Sequence, residues 1–493
     1  MIPITDCVVD QAVLEKAVAH FRSRNIILPT FAEQRDPQRI PAKIKDKLRA
    51  IGLWDLHPLN LFRITWKNEP REKGGLFGGV NYLELPAALT GVKARIVLLI
   101  GKWFPTGAHK VGAAYGCLVP RLVSGQFDPT YHKAVWPSTG NYCRGGAFDS
   151  YLMGCTAVAI LPEGMSRERF EWLAGVGAEV IATPGSESNV KEIYDKCWEI
   201  RATRPDCVIF NQFDEFGNSC WHYFNTGAAV EEAFRAIAGP GSALAAYVSS
   251  TGSAGTIAAG DFLRGRFPAL KVVAAEAQQC PTLLQNGFGA HRIEGIGDKH
   301  VPWVHNVRNT DAVAAVDDED CLRLFRLFNE PAGRERLAAL GMDEGQVERL
   351  ALLGISGIAN VLAAIKAARH FEMDGDDVIV TLATDSSSLY ASRLEELTAE
   401  RGAYTSMQAA CDLERCLWGQ NEDHFKELTY GDRKAVHNLK YFTWVEQQGK
   451  EIADLNRLWQ DRRLWPRIFG QVERWDEMIR DFNERTGLLK KLS

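Results

Sequence analysis

Between about residue 76 and residue 395, short runs rich in Val, Ile and Ala alternate with longer amphipathic stretches, and this alternation narrows the possible folds more than any other feature of the chain. The strand candidates are the runs 94–100, 157–161, 179–182, 207–210, 245–249, 272–275 and 378–382. Between them lie helix candidates at 167–175, 189–201 and 355–369. Strands that are apolar at nearly every position cannot turn one face to water. They predict an α/β fold with mostly parallel sheets flanked by helices on both sides. Residues 1–75 read as helical and polar, becoming loop-like at 68–75. Residues 396–493 are rich in Trp, Arg, Glu and Leu, show no strand pattern and read as helices. The expected organisation is an N-terminal helical extension (1–75), a core of two α/β lobes (76–395) and a C-terminal helical extension (396–493). At 493 residues, 46% of them hydrophobic, the chain can bury a core for two lobes.

Composition narrows the function classes. A net charge of -5 offers no basic footprint for nucleic acid, and the apolar run at 96–100 is far too short to span a bilayer. The first residues lack a basic stretch followed by an apolar core, so a cytoplasmic location is expected. Eleven cysteines without a CxxC pair fit reduced thiols rather than a disulfide framework, and no metal site is expected.

In open α/β sheets, ligands sit outside the carboxyl ends of the strands, which directs attention to four loops. The first is Phe104-Pro-Thr-Gly-Ala-His-Lys110. Its lysine opens an apolar helix, an unusual place for a solvated surface charge. A lysine there suits the Schiff-base amine of a pyridoxal phosphate enzyme. The second is Trp136-Pro-Ser-Thr-Gly-Asn-Tyr-Cys-Arg-Gly-Gly146. Small residues before a helix leave backbone N–H groups for an anion such as a substrate carboxylate, and Asn141 could bond the cofactor's phenolic oxygen. An ordinary turn with an N-cap reads the same way. The third, Ser249-Ser-Thr-Gly-Ser-Ala-Gly-Thr-Ile257, joins a strand to a helix. It offers amides and hydroxyls as a phosphate cradle and matches neither the dinucleotide fingerprint nor a Walker loop. The fourth is Thr384-Asp-Ser-Ser-Ser388. A serine there would face a pyridine nitrogen and leave it neutral, or would only cap a helix.

Taken in order, these loops resemble the cysteine synthase and cystathionine β-synthase family of fold type II pyridoxal phosphate enzymes, a tryptophan synthase β-like fold, over roughly residues 76–395. The most specific stretch is Leu161-Pro-Glu-Gly-Met-Ser-Arg-Glu-Arg169, continuing to Gly177-Ala-Glu179. Asn211-Gln-Phe-Asp214, His222-Tyr-Phe-Asn-Thr-Gly227, Glu294-Gly-Ile-Gly297 with Pro302, and Gly354-Ile-Ser-Gly357 are similar to further elements of that family. The resemblance implies that Lys110 forms the internal aldimine and shuttles the α-proton, and that Asn141 contacts the cofactor hydroxyl. Gly252, Ser253, Ala254, Gly255 and Thr256 would hold the phosphate, and Ser386 would face the pyridine nitrogen. Ser138, Thr139, Gln212 and Gly295 would bind the substrate.

The implied activity is β-replacement or β-elimination on an amino acid of the cysteine, O-acetylserine or serine type, through an aminoacrylate, in sulfur amino acid metabolism. A homodimer is implied too. Three departures bear on the substrate. Val111 and Gly112 follow the lysine where the family has Asp-Arg, Ala254 replaces a glycine, and Tyr142 and Arg144 are bulky enough to reshape the pocket. His109 before the lysine is closer to the tryptophan synthase β chain. An amino acid dehydratase or tryptophan-synthase-like enzyme, or a non-catalytic pyridoxal phosphate-fold protein, are the alternative readings.

Overall fold

The computed structural model describes all residues except 1–5, 71–73, 139, 166, 186–189, 298 and 493. Its strands are β1 (Tyr82–Leu85), β2 (Arg95–Ile100), β3 (Lys133–Pro137), β4 (Thr156–Pro162), β5 (Glu179–Thr183), β6 (Cys207–Ile209), β7 (Ala243–Ser250), β8 (Lys271–Ala277), β9 (Ala312–Val316), β10 (Asp377–Ala383) and β11 (Phe425–Glu427). They form two sheets. One has the order β1-β2-β10-β7-β8-β9-β11 and the other β5-β4-β3-β6. The smaller sheet is wholly parallel, and the larger is parallel except at its rims, where β1 and β11 run antiparallel to their neighbours. This is the two-lobed, helix-flanked α/β architecture expected from the alternating pattern.

The seven strand candidates coincide with β2, β4, β5, β6, β7, β8 and β10, and the three helix candidates with Arg167–Gly175, Val190–Thr203 and Ile355–His370. Ile96 to Leu99 and Val378 to Val380 are fully buried, as strands covered on both faces require. The helix Ile355–His370 is buried from Ile355 to Ala368 and packs on the larger sheet.

Four strands were not foreseen, and β11 corrects the reading of 396–493 as purely helical. Phe425–Glu427 pairs with β9 and closes the sheet's edge, a placement dictated by the partner strand rather than by any pattern in Phe-Lys-Glu. The core boundary drawn at 395 falls inside the helix Ala391–Arg401.

The two extensions pack on each other as well as on the core. The helices Gln11–Arg24 and Leu464–Thr486 meet through Phe21 and Phe482, whose rings sit edge-on at 5.1 Å. Asn483 exchanges two hydrogen bonds with the backbone of Leu28, and the Asp476 carboxylate accepts from the amides of Phe31 and Ala32. Further along, Lys440 donates to the carbonyls of Trp303 and His305, and Trp444 donates to that of Val301. The C-terminal extension thus clasps the segment that follows Gly295–Gly297.

Candidate active site

Lys110 begins the helix Lys110–Val123 immediately after a sharp reversal. Thr106 and Gly107 both take left-handed backbone angles, with φ +69° and +73°. A Cβ on Gly107 would come 2.6 Å from the Trp54 ring, so the turn needs glycine for conformation and for space. The Lys110 Nζ donates to Ser253 Oγ at 3.1 Å and to Gln212 Oε1 at 3.3 Å. Gln212 in turn donates through Nε2 to Ser138 Oγ at 3.2 Å. Three loops distant in sequence therefore converge on one amine, and Lys110, Ser138, Asn141, Gln212, Gly252, Ser253 and Gly295 line a common cavity.

The loop after β7 is built as an anion cradle. Among the described residues, the amides of Ser253, Ala254 and Thr256 have no intramolecular acceptor. Behind the loop, Asn218 Nδ2 donates to Ser253 Oγ at 3.0 Å, and Ser249 and Thr256 share a hydroxyl contact at 2.7 Å. A Cβ on Gly255 would lie 2.0 Å from Asn218 Oδ1, so the close approach demands glycine. Ala254 sits at φ +58°, a left-handed angle that costs a side chain about 1–2 kcal/mol.

Asn141 opens the helix Asn141–Leu152, and its Nδ2 donates to Asp385 Oδ2 at 2.6 Å while its Oδ1 is buried without a partner. Asp385, which no motif in the chain marks out, also accepts from Tyr390 Oη at 2.7 Å. Burial pushes its carboxyl above the usual range, and those two hydrogen bonds oppose the rise. Ser386 is buried, but its hydroxyl meets Ser388 at 2.8 Å, and it is Thr384 that lines the cavity. Thr139 lies outside the described residues. Tyr142 borders the cavity, edge-on to Trp136 at 5.5 Å. Arg144 does not: its guanidinium lies over the Trp172 ring at 4.9 Å, so its bulk is spent on packing.

A buried charged cluster backs the site. Arg169 and Glu294 form an ion pair at 3.1 Å, and Glu294 also accepts from Arg393 Nε at 2.6 Å. Arg169 further donates to Tyr390 Oη at 3.3 Å. Glu294 precedes Gly295 and Arg169 lies beneath Gly140, so this cluster ties together loops that border the cavity from two directions. Family-like motifs named both residues, but only the fold pairs them across so many positions. His109 lies beside Thr384, with Nε2 and Oγ1 3.2 Å apart, and packs edge-on against His222 at 4.9 Å. Burial holds both imidazoles well below their ordinary pKa, and the Lys110 charge adds to this for each. They are neutral packing partners rather than acids.

The residues present fit pyridoxal phosphate. The amine stands among hydroxyl and amide groups, free loop amides await an anion, and an unpartnered buried oxygen on Asn141 faces the same region. Comparison with known proteins agrees. Residues 82–385 match the family described as pyridoxal-phosphate dependent enzyme. A probable cysteine synthase of Bacillus subtilis (strain 168) is 31% identical over 300 residues, covering 61% of this chain and 89% of that protein. An O-acetylserine dependent cystathionine beta-synthase from Helicobacter pylori shares the fold with a TM-score of 0.54 at 22% identity, covering 64% of this chain and 95% of that one. A hydrogen sulfide-producing enzyme from Fusobacterium nucleatum does so with a TM-score of 0.55 at 22% identity, covering 64% and 97%.

Proposed function

This chain belongs to the pyridoxal-phosphate-dependent enzyme family, and from that premise we propose that it catalyses β-replacement or β-elimination on an amino acid bearing a leaving group at Cβ, of the cysteine, O-acetylserine or serine type. The observation that carries the reading is the convergence of Lys110 Nζ on Ser253 and on Gln212, with Gln212 linked to Ser138. Cofactor anchor, phosphate cradle and carboxylate loop thereby meet at one amine.

Lys110 would hold the cofactor's aldehyde carbon, the amides of Ser253, Ala254 and Thr256 its phosphate, and Asn141 its ring hydroxyl. When bound, the cofactor supplies an electron sink that weakens the substrate Cα–H bond. The remaining work falls to the chain. The Ser138 hydroxyl and the amides of its loop receive the substrate carboxylate, fixing Cα near Lys110. The Lys110 amine takes the proton from Cα and, within the same cavity, can pass it to the departing Cβ substituent. Gln212 keeps the amine and Ser138 in mutual register. The neutral His109 and His222 behind the amine place no competing acid beside it.

Borohydride reduction followed by peptide mapping tests the assignment. The label belongs on Lys110, and incubation with cysteine, O-acetylserine and serine should yield hydrogen sulfide, thioether or pyruvate from at least one. A label elsewhere, or no product from any of the three, would overturn the reading.

We further infer a homodimer in a reducing, cytoplasmic setting. Eleven cysteines without a disulfide support the compartment, and exposed Tyr430, Phe442 and Ile452 on the C-terminal extension support a second copy as cover. No single helix among the described residues is long and apolar enough to cross a membrane. Light scattering of the purified protein tests the dimer.

A further inference from the structure

The Lys110 cavity lies where loops from the two sheets meet, and one short side-chain bond joins those loops beside it. Asn141 follows β3 of the smaller sheet and Asp385 follows β10 of the larger. Asn141 Nδ2 donates to Asp385 Oδ2 at 2.6 Å. Asn141 lines the cavity, whereas Asp385 lies fully buried next to it.

Three features of the fold hold this carboxylate in place. Gly354 has ordinary backbone angles, φ -73° and ψ 175°, so space rather than conformation calls for glycine there. A Cβ on it would lie 1.9 Å from Asp385 Oδ1. Tyr390 Oη donates at 2.7 Å to the same Oδ2 that Asn141 uses, and Arg169 Nη2 donates to Tyr390 Oη at 3.3 Å. A guanidinium thus stands one hydrogen bond behind the carboxylate and favours its anionic form. The residue before Asp385 is fastened to the lysine's own turn. The His109 amide donates to the Thr384 carbonyl at 3.3 Å, and His109 Nε2 lies 3.2 Å from Thr384 Oγ1.

A carboxylate only accepts hydrogen bonds, so the end of the Asn141 carboxamide that faces it must be the nitrogen. A half turn of that side chain would exchange its donor end for its acceptor end, and Asp385 is what forbids the exchange. One N–H is spent on Asp385, and the other remains for the cofactor's ring oxygen. We propose that Asp385 is a positioning residue for the cofactor ring, holding the Asn141 carboxamide in one orientation across the two sheets and in register with Lys110. Contacts run from Lys110 through His109, Thr384 and Asp385 to Asn141, so the partner of the cofactor's aldehyde and the partner of its ring hydroxyl are set against each other. This role rests on the assignment of Lys110 and Asn141 to the cofactor.

Asp385→Asn keeps the shape but offers a donor as well as an acceptor, and it tests the role in the holoenzyme. Cofactor affinity, from an absorbance titration, should stay within about threefold of the parent's, because Lys110 and the loop after β7 are untouched. The visible absorbance band, which responds to hydrogen bonding at the ring oxygen, should shift. The kcat should fall roughly tenfold with KM little changed. In an Asn141→Ala background the same substitution should add nothing to either effect, because both pass through that carboxamide. Tyr390→Phe keeps the ring beside Phe325 and removes one of the two donors to Asp385 Oδ2. It should shift the band in the same direction, and it decides the matter should Asp385→Asn fail to fold. An unchanged band and kcat in the variant that folds, or equal effects with and without Asn141, overturn the proposal. Failure of the Lys110 assignment shows differently, as a borohydride label elsewhere in the parent protein, and overturns both readings.

Discussion

Lys440 offers a stability experiment with a definite sign. Its side chain is fully buried and its hydrogen-bond partners are two carbonyls, those of Trp303 and His305. Burial lowers its pKa from 10.5 to about 7. In the unfolded chain the amine keeps its proton up to about pH 10.4. Between pH 7 and 10 the unfolded state thus binds a proton that the folded state has released, and stability rises with pH. Below pH 7 both states are protonated and the burial penalty is complete. At about 1.36 kcal/mol per pKa unit the penalty is at most ~5 kcal/mol. Lys440→Met removes it and strands two buried carbonyls, at about 1–3 kcal/mol each. The variant should therefore be close to the parent in stability at pH 7 and about 2–5 kcal/mol less stable at pH 10. Denaturant midpoints by circular dichroism at the two pH values, with the cofactor content matched, give the difference. Parallel pH profiles for parent and variant would refute the argument, because they would mean Lys440 keeps its proton in the fold.

The site yields three further tests. Gly255→Ala places a methyl 2.0 Å from Asn218 Oδ1 and should displace Asn218 from Ser253, weakening cofactor affinity about tenfold or more in an absorbance titration. Gln212→Leu removes both of its hydrogen bonds and should lower kcat/KM by roughly 10- to 100-fold while cofactor binding persists. Ala254→Gly relieves a left-handed alanine but loosens the unfolded chain, for a net gain of about 0.5–1 kcal/mol, read as a higher Tm.

The strands that could be read from sequence are those buried on both faces, where an unbroken apolar run is the only composition the environment tolerates. The missed strands each lack that signature for a reason. Ala312–Val316 is alanine-rich, and alanine favours helix as readily as it fills a packed strand. Tyr82–Leu85 alternates with a glutamate because it runs along an edge, and Lys133–Pro137 ends on a proline leading straight into a turn. In the candidate site, Lys110 and the loops of Ser138 and Ser253 stood out because they follow strands, Gln212 was named only by the family resemblance, and the fold brings all four to one cavity. Asp385 stood inside a loop already singled out, yet attention fell on its neighbour Ser386. Only the fold shows that the Asp385 carboxylate reaches Asn141, 244 positions away in the chain. The same holds for Arg169 and Glu294, whose meaning depends on a partner no local window contains.

The meeting of the two extensions has a consequence for how the protein is made. Leu28 and Asn483, which hold each other by two hydrogen bonds, stand 455 positions apart. At about 5–20 residues per second, a ribosome delivers the second of that pair roughly 20 to 90 seconds after the first. Through that interval Phe21 and its helix have the core helix Lys110–Val123 on one side but lack the cover that Leu464–Thr486 supplies. The nascent chain therefore carries the apolar stripe of that helix, Leu14, Ala17, Val18 and Phe21, only partly covered throughout nearly all of its synthesis, and truncation before Leu464 would leave it so permanently.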